Sequence, residues 1–184
     1  MPSRRRASLR SIADLVVSCS ARRVGLLQPD MPNLFEEFRA IVAALGESAV
    51  PFAVCGGLAM SIHARPRATI DVDLLAPAEA IASLVNTLAQ LGYRRRESAP
   101  TRLAGGQVVM HRLTKIVTGD PDVMIVDVIE VQPGVTSAAW ASRVAAHCEK
   151  GLVTVVSRQG LIALKRLRGS PQDAADIQAL EEDS

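Results

Sequence analysis

The sequence predicts an α/β (α+β) fold, a single mixed β-sheet flanked by helices and closed by a C-terminal helix pair. Three observations carry this expectation. Apolar stripes at helical spacing alternate with short runs of β-type residues. Two of those runs, around residues 107–131, lie close enough to form a hairpin, which an all-parallel sheet does not contain. The chain ends in two helical patterns separated only by Gly169-Ser170-Pro171.

The elements follow in order. Leu34, Phe35, Phe38, Ile41, Val42 and Leu45 have helical spacing over 33–45, with Asn33 as a cap and Gly46 as a stop. Pro51 to Cys55 is a short apolar run that reads as a buried strand, ended by a tight turn at Gly56-Gly57. Leu58 to Ala64 forms a short helix stopped by Pro66, and Ile70 to Ala76 alternates as a strand does. Pro77 breaks that strand and starts a helix whose stripe is Ile81, Leu84, Val85, Leu88 and Leu91, closed by Gly92. Residues 94–106 read as a basic loop. Gln107–Val117 and Val123–Val131 are the hairpin strands, joined by a turn at Thr118-Gly119-Asp120-Pro121. Thr136–Cys148 reads as a helix, Leu152–Val156 as the last strand, and Ser157 caps a helix through Leu167. Gln172–Glu182 is the final helix.

Length and composition narrow the function classes. A chain of 184 residues with 48% apolar and 22% charged residues is an ordinary globular domain with at most a small appendage. No apolar run approaches the roughly 18 residues that span a bilayer, so no membrane partner is expected. Aromatics at 3% argue against a base-stacking platform for single-stranded nucleic acid. The cysteines Cys19, Cys55 and Cys148 are odd in number and without a CxxC pair, which excludes a disulfide framework and points to a reducing cytoplasm.

The net charge of +2 is unevenly spread. Residues 1–30 carry Arg4, Arg5, Arg6, Arg10, Arg22 and Arg23 against Asp14 and Asp30, an excess of +4, so residues 31–184 sum to −2. The basic character therefore belongs to a leader, residues 1–30, and not to the domain at 31–184 (core 31–156, helices 157–184). The leader reads as a weakly helical tail, as the product of a misassigned start before Met31, or as a nucleic-acid-binding arm.

The chemistry sits in residues 55–75, C-G-G-L-A-M-S-I-H-A-R-P-R-A-T-I-D-V-D-L-L. Glycines after a strand let backbone approach a ligand closely, and the next helix N-terminus offers N–H groups to phosphate. Asp71 and Asp73, two apart on a strand, point to one face and repel unless a cation lies between them. Hard oxygen ligands suit Mg²⁺ or Mn²⁺. A third carboxylate, Asp127, interrupts the apolar run 124–129, where burial is costly without a counter-charge or a metal. If its strand neighbours that of Asp71 and Asp73, three carboxylates converge as in a two-metal phosphoryl-transfer site.

These motifs resemble the DNA polymerase beta-like nucleotidyltransferase superfamily, and most closely its minimal bacterial branch that includes the AbiEii- and MenT-type toxins. The likeness rests on A-V-C-G-G-L-A-M at 53–60, R-A-T-I-D-V-D-L-L at 67–75 and the helix pair at 157–180, and it covers about residues 34–182. It implies that Gly56 and Gly57 pack against a triphosphate, that Asp71 and Asp73 hold Mg²⁺, and that Asp127 completes a second metal and acts on the attacking hydroxyl. It further implies that Arg67 or Thr69 contacts phosphate or orders the loop, and that Lys165 reaches the triphosphate. Asp176, with Asp173, belongs either to nucleotide binding or to helix capping. Glycine stands at 57 where many relatives have serine, so a phosphate-binding hydroxyl is absent.

The activity implied is transfer of a nucleoside monophosphate from an NTP to an acceptor hydroxyl on a tRNA end, another RNA or a protein, with a cognate antitoxin as a partner; small antibiotics are another acceptor class within the superfamily. A non-catalytic nucleotide- or RNA-binding module on the same fold is the alternative. His63 reads as a satisfied histidine, His111 and His147 have no ligand-spaced partners, and Cys55 reads as core packing. Arg94, Arg95, Arg96, Arg102 and Arg112 read as a solvated basic region that is also a place to hold acceptor RNA.

Overall fold

A computed structural model describes residues 34–64, 68–95, 99–116, 123–148 and 151–182. The leader, Met31, Asn33, Arg67 and the turn at 118–121 lie outside the described residues.

Helix α1 (Leu34–Glu47) buries the stripe Phe38, Ile41 and Leu45. Strand β1 (Ala53–Val54) is only two residues long and fully buried. Helix α2 (Gly56–His63) follows after Cys55 alone; Gly56, at φ +59°, makes the expected sharp turn out of the strand, and Gly57 follows in the first turn of the helix. Strand β2 (Asp71–Pro77) runs through Pro77 and passes by a 3₁₀ turn at Ala78–Ala80 into α3 (Ile81–Gln90). The proline ends the strand as expected, its fixed φ and missing N–H being tolerated at a strand terminus, but it caps the 3₁₀ turn and is not itself the first residue of α3.

The region read as a loop contains two short strands, β3 (Arg94–Arg95) and β4 (Thr101–Leu103), both paired with β5 (Val108–Ile116). The hairpin partner β6 (Val123–Val131) is antiparallel to β5 as expected. Helix α4 covers only Val135–Ala141, and Val144–Cys148 is strand β7, not the second half of a long helix. Alanines at 145 and 146 suit a helix, but β7 pairs antiparallel along β8 (Gly151–Val155), and that pairing overrides propensity. Helix α5 (Arg158–Arg168) is capped by Ser157, whose Oγ accepts the Gly160 N–H at 3.1 Å, and ends at Gly169 with φ +67°. Helix α6 (Pro171–Glu182) closes the fold.

Among the described residues eight strands make one mixed sheet in the order β3-β5-β6-β2-β1-β8-β7, with β4 also on β5. Strand β2 is parallel to β6 and antiparallel to β1, and β1 is parallel to β8. Val72 and Leu74 of β2, and Val126 and Val128 of β6, are buried in a core shared with α1 and α3. Asp71 and Asp73 alternate with Val72 and Leu74 and therefore face the other side. Among the described residues no helix is long and apolar enough to cross a membrane.

Candidate active site

The parallel pairing of β2 with β6 sets Asp73 directly beside Asp127, and the antiparallel pairing of β5 sets Arg112 directly across from Asp127. Three adjacent strands thus bring Asp73, Asp127 and Arg112 into one row. Each of Asp71, Asp73 and Asp127 offers a carboxylate oxygen, and the three oxygens lie within 4.8 Å of one another. Asp127 is buried, as its apolar neighbours required.

Local contacts hold the carboxylates in place. The Thr69 hydroxyl donates to Asp71 Oδ1 at 2.7 Å. The Gly57 N–H at the start of α2 donates to Asp73. Arg112 grips Asp127 through both oxygens, Nε to Oδ1 at 2.8 Å and a terminal nitrogen to Oδ2 at 2.6 Å. Burial, followed by the charges of Asp71 and Asp127, pushes the Asp73 carboxyl up to about 6, against the smaller opposing effects of Arg168 and the Gly57 N–H. The cluster is thus short of positive charge at Asp73, and an all-oxygen donor set of this kind fits a hard divalent cation such as Mg²⁺ or Mn²⁺.

The glycines are required by this packing. Gly56 has φ +59°, and a Cβ there falls 1.7 Å from Asp73 Oδ2, while a Cβ on Gly57 falls 2.6 Å from Thr69 Oγ1. Gly56→Ala is therefore expected to cost about 3 kcal/mol or more, combining a left-handed backbone penalty with a contact that only displacement of Asp73 relieves. Thermal unfolding followed by circular dichroism measures it; a loss under about 1 kcal/mol contradicts the close approach.

A cavity of about 450 Å³ opens over the carboxylates, between the sheet and α5. Five of the nine residues expected in the site line it, namely Gly56, Asp71, Asp73, Asp127 and Lys165. Gly57 and Thr69 support them from the side, and Arg67 lies outside the described residues. Asp176 is not on the lining; it is buried and accepts from Lys165 Nζ at 2.5 Å. Asp173, also fully buried, lies 3.6 Å from the same ammonium. Burial alone would raise the Asp173 carboxyl, but hydrogen bonds from Arg168 and Ser170 outweigh it and hold the group well below the usual carboxylate range. The lysine at the cavity wall is therefore tied to the C-terminal helix.

Two charged lining residues escaped the sequence reading. Arg112 was grouped with a solvated basic region, although its place on the alternating strand 108–116 puts it on the same face as Met110, which also lines the cavity. Arg168 also lines the cavity, one helical turn after Lys165. The bland residues are bland. His63 Nε2 donates to the Val156 carbonyl at 2.6 Å, and burial lowers its pKa despite that bond. His111 is buried, accepts from Arg95 at Nδ1 and donates to Glu130 from Nε2 at 3.0 Å. His147 is exposed. Burial also pushes the Cys55 thiol well above its ordinary value.

No family model and no curated relative matches the chain. Solved structures do. TM1012 from Thermotoga maritima, a nucleotidyltransferase by assignment, superposes with a TM-score of 0.58 at 12% identity, over 89% of this chain and 99% of that one. ANT(2")-Ia in complex with adenylyl-2"-tobramycin matches with a TM-score of 0.55 at 17% identity, over 80% of this chain and 86% of that one. JHP933 from Helicobacter pylori matches with a TM-score of 0.51 at 14% identity, over 83% and 68%. The mixed sheet and its flanking helices are thus those of a nucleotidyltransferase-like fold.

Proposed function

We propose that this chain is a divalent-metal-dependent nucleotidyltransferase that moves a nucleoside monophosphate from an NTP to an acceptor hydroxyl. The observation that carries the reading is the β2–β6 register, which puts Asp73 beside Asp127 with Asp71 within 4.8 Å. A bound pair of Mg²⁺ ions would supply charge stabilisation to both the attacking and the leaving oxygen. Asp71 and Asp73 would hold one ion, and Asp127 would share the second. In the reaction the acceptor oxygen bonds to the α-phosphorus as the bond to the bridging oxygen breaks. Pyrophosphate leaves, and Asp127 receives the hydroxyl proton. Gly56 leaves room for Asp73 itself at the cavity, and Arg168 and Lys165, paired with Asp173 and Asp176, line the opposite wall, where they would face the triphosphate.

For the acceptor, the charge distribution favours a phosphate-bearing molecule. Arg94, Arg95 and Arg102 are exposed on β3 and β4, and Arg112 stands between them and the carboxylates. In the solved ANT(2")-Ia complex the adenylylated molecule is tobramycin, a polyamine; a polycation is a poor match for this basic edge. We read the acceptor as an RNA, with a tRNA end foremost and a protein hydroxyl second. The likeness of three sequence stretches to AbiEii- and MenT-type toxins makes a toxin silenced by an antitoxin part of the same reading.

Incubating the protein with each labelled NTP, Mg²⁺ and total tRNA tests it. Label is expected on RNA from one preferred nucleotide, and Asp71→Asn is expected to lower transfer at least about a hundredfold with folding intact. Nucleotide binding by calorimetry with no transfer to any acceptor favours the non-catalytic module instead.

A further inference from the structure

The third carboxylate already has a cation, supplied by the chain itself. Both oxygens of Asp127 are taken by the guanidinium of Arg112. The planar fork of arginine takes one in-plane lone pair on each carboxylate oxygen and sets a positive charge against the group. A cation entering the cluster competes with the guanidinium for this carboxylate, by charge repulsion and through the shared oxygens. The two partners also differ in freedom. The Asp127 side chain is 5% exposed and fixed by two flanking strands, whereas that of Arg112 is 47% exposed and lines the cavity.

We propose that Arg112 is a displaceable counter-ion, occupying Asp127 in the metal-free protein and yielding its oxygens when a divalent cation enters. The inference rests on the metal-dependent reading of the carboxylate cluster and adds a control on it. Three carboxylates within 4.8 Å of one another repel, and the guanidinium offsets one of them so that the site stays assembled before the ion arrives. The same contact sets a threshold, because the ion must compete for Asp127. Released, Arg112 remains on the cavity lining and keeps a positive charge beside the incoming phosphates.

A purely structural ion pair makes a different forecast, since its loss weakens the fold equally with and without metal. The test uses the full chain as parent, Arg112→Gln and Arg112→Lys, in thermal unfolding and in calorimetric titration with Mn²⁺ and Mg²⁺. Arg112→Gln is expected to melt lower than the parent without metal, to gain more from metal, and to bind Mn²⁺ about five- to tenfold tighter. Arg112→Lys keeps the charge but loses the fork and is expected to bind about two- to threefold tighter, which serves as the measure if the glutamine variant does not fold. Equal or weaker Mn²⁺ binding in the variants, with clear binding in the parent, overturns the counter-ion role and leaves the metal reading standing. No metal response in the parent or the variants overturns both.

Discussion

Asp73→Asn is expected to stabilise the metal-free protein by roughly 1–3 kcal/mol at about pH 8 while lowering nucleotidyl transfer at least about a hundredfold. The direction follows from the proton balance. Burial and two neighbouring carboxylates raise the Asp73 carboxyl in the folded chain to about 6, from 3.8. The native state therefore binds the proton more tightly than the unfolded chain does. Between about pH 4 and 6 the native state holds more protons, so this group's contribution to stability falls as pH rises. Above about 6 its cost is complete. A shift of this size corresponds to about 3 kcal/mol, and the amide removes it without changing the shape of the side chain. Urea unfolding of parent and variant without divalent ions, near pH 4 and pH 8, measures the effect. The gain should be present at the higher pH and absent at the lower. Equal stability of the two proteins at pH 8 means that ionised Asp73 is not strained in the folded chain.

Lys165→Met is expected to cost about 3–5 kcal/mol, the largest stability loss among the substitutions considered. Lys165, Asp173 and Asp176 are all nearly inaccessible, and the lysine is the cation at 2.5 Å from Asp176. Removing it leaves a buried carboxylate without that ammonium, which costs far more than the intact pair contributes. Lys165→Met combined with Asp176→Leu should recover more than half of the loss, because both charges are then gone. Equilibrium denaturation of the two variants tests this; a single-variant loss below about 1 kcal/mol, or no recovery in the pair, rules the buried pair out as the anchor of α5 to α6. The same geometry bears on catalysis. For Lys165 to serve a triphosphate, it must reach it while bound to Asp176 or let go of that partner.

The parts of the site that follow a local rule were legible in the sequence. Asp71 and Asp73 were placed on one face by strand alternation, and Asp127 stood out because a carboxylate within 124–129 needs a partner. Ser157 and Gly169 marked the ends of α5 through their capping chemistry. What escaped depends on register or on competition between elements. That Arg112 faces Asp127 is decided by the β5–β6 pairing, which no spacing along the chain encodes. Val144–Cys148 looked helical because alanine favours helices, and only an adjacent strand edge makes it β7. Gly56 and Gly57 were legible as a close approach, but the group that approaches in the folded chain is the protein's own Asp73 and Thr69. The lysine of α5 was found by resemblance, whereas its enclosure by Asp173 and Asp176 required the helix pair to be seen packed.

The β2–β6 pairing has a consequence for the order in which the molecule assembles. Asp73 and Asp127 are 54 positions apart, and they meet only through a parallel ladder that spans the intervening helix and strands. Long loop closure precedes any reward from such pairing, so contacts of this kind come late in folding. The unfolded chain therefore has no ready-made cluster for a divalent ion to gather. An ion that binds only after the ladder has closed leaves the folding rate largely alone and slows escape from the finished state, so it governs the lifetime of the folded protein more than the speed of its formation.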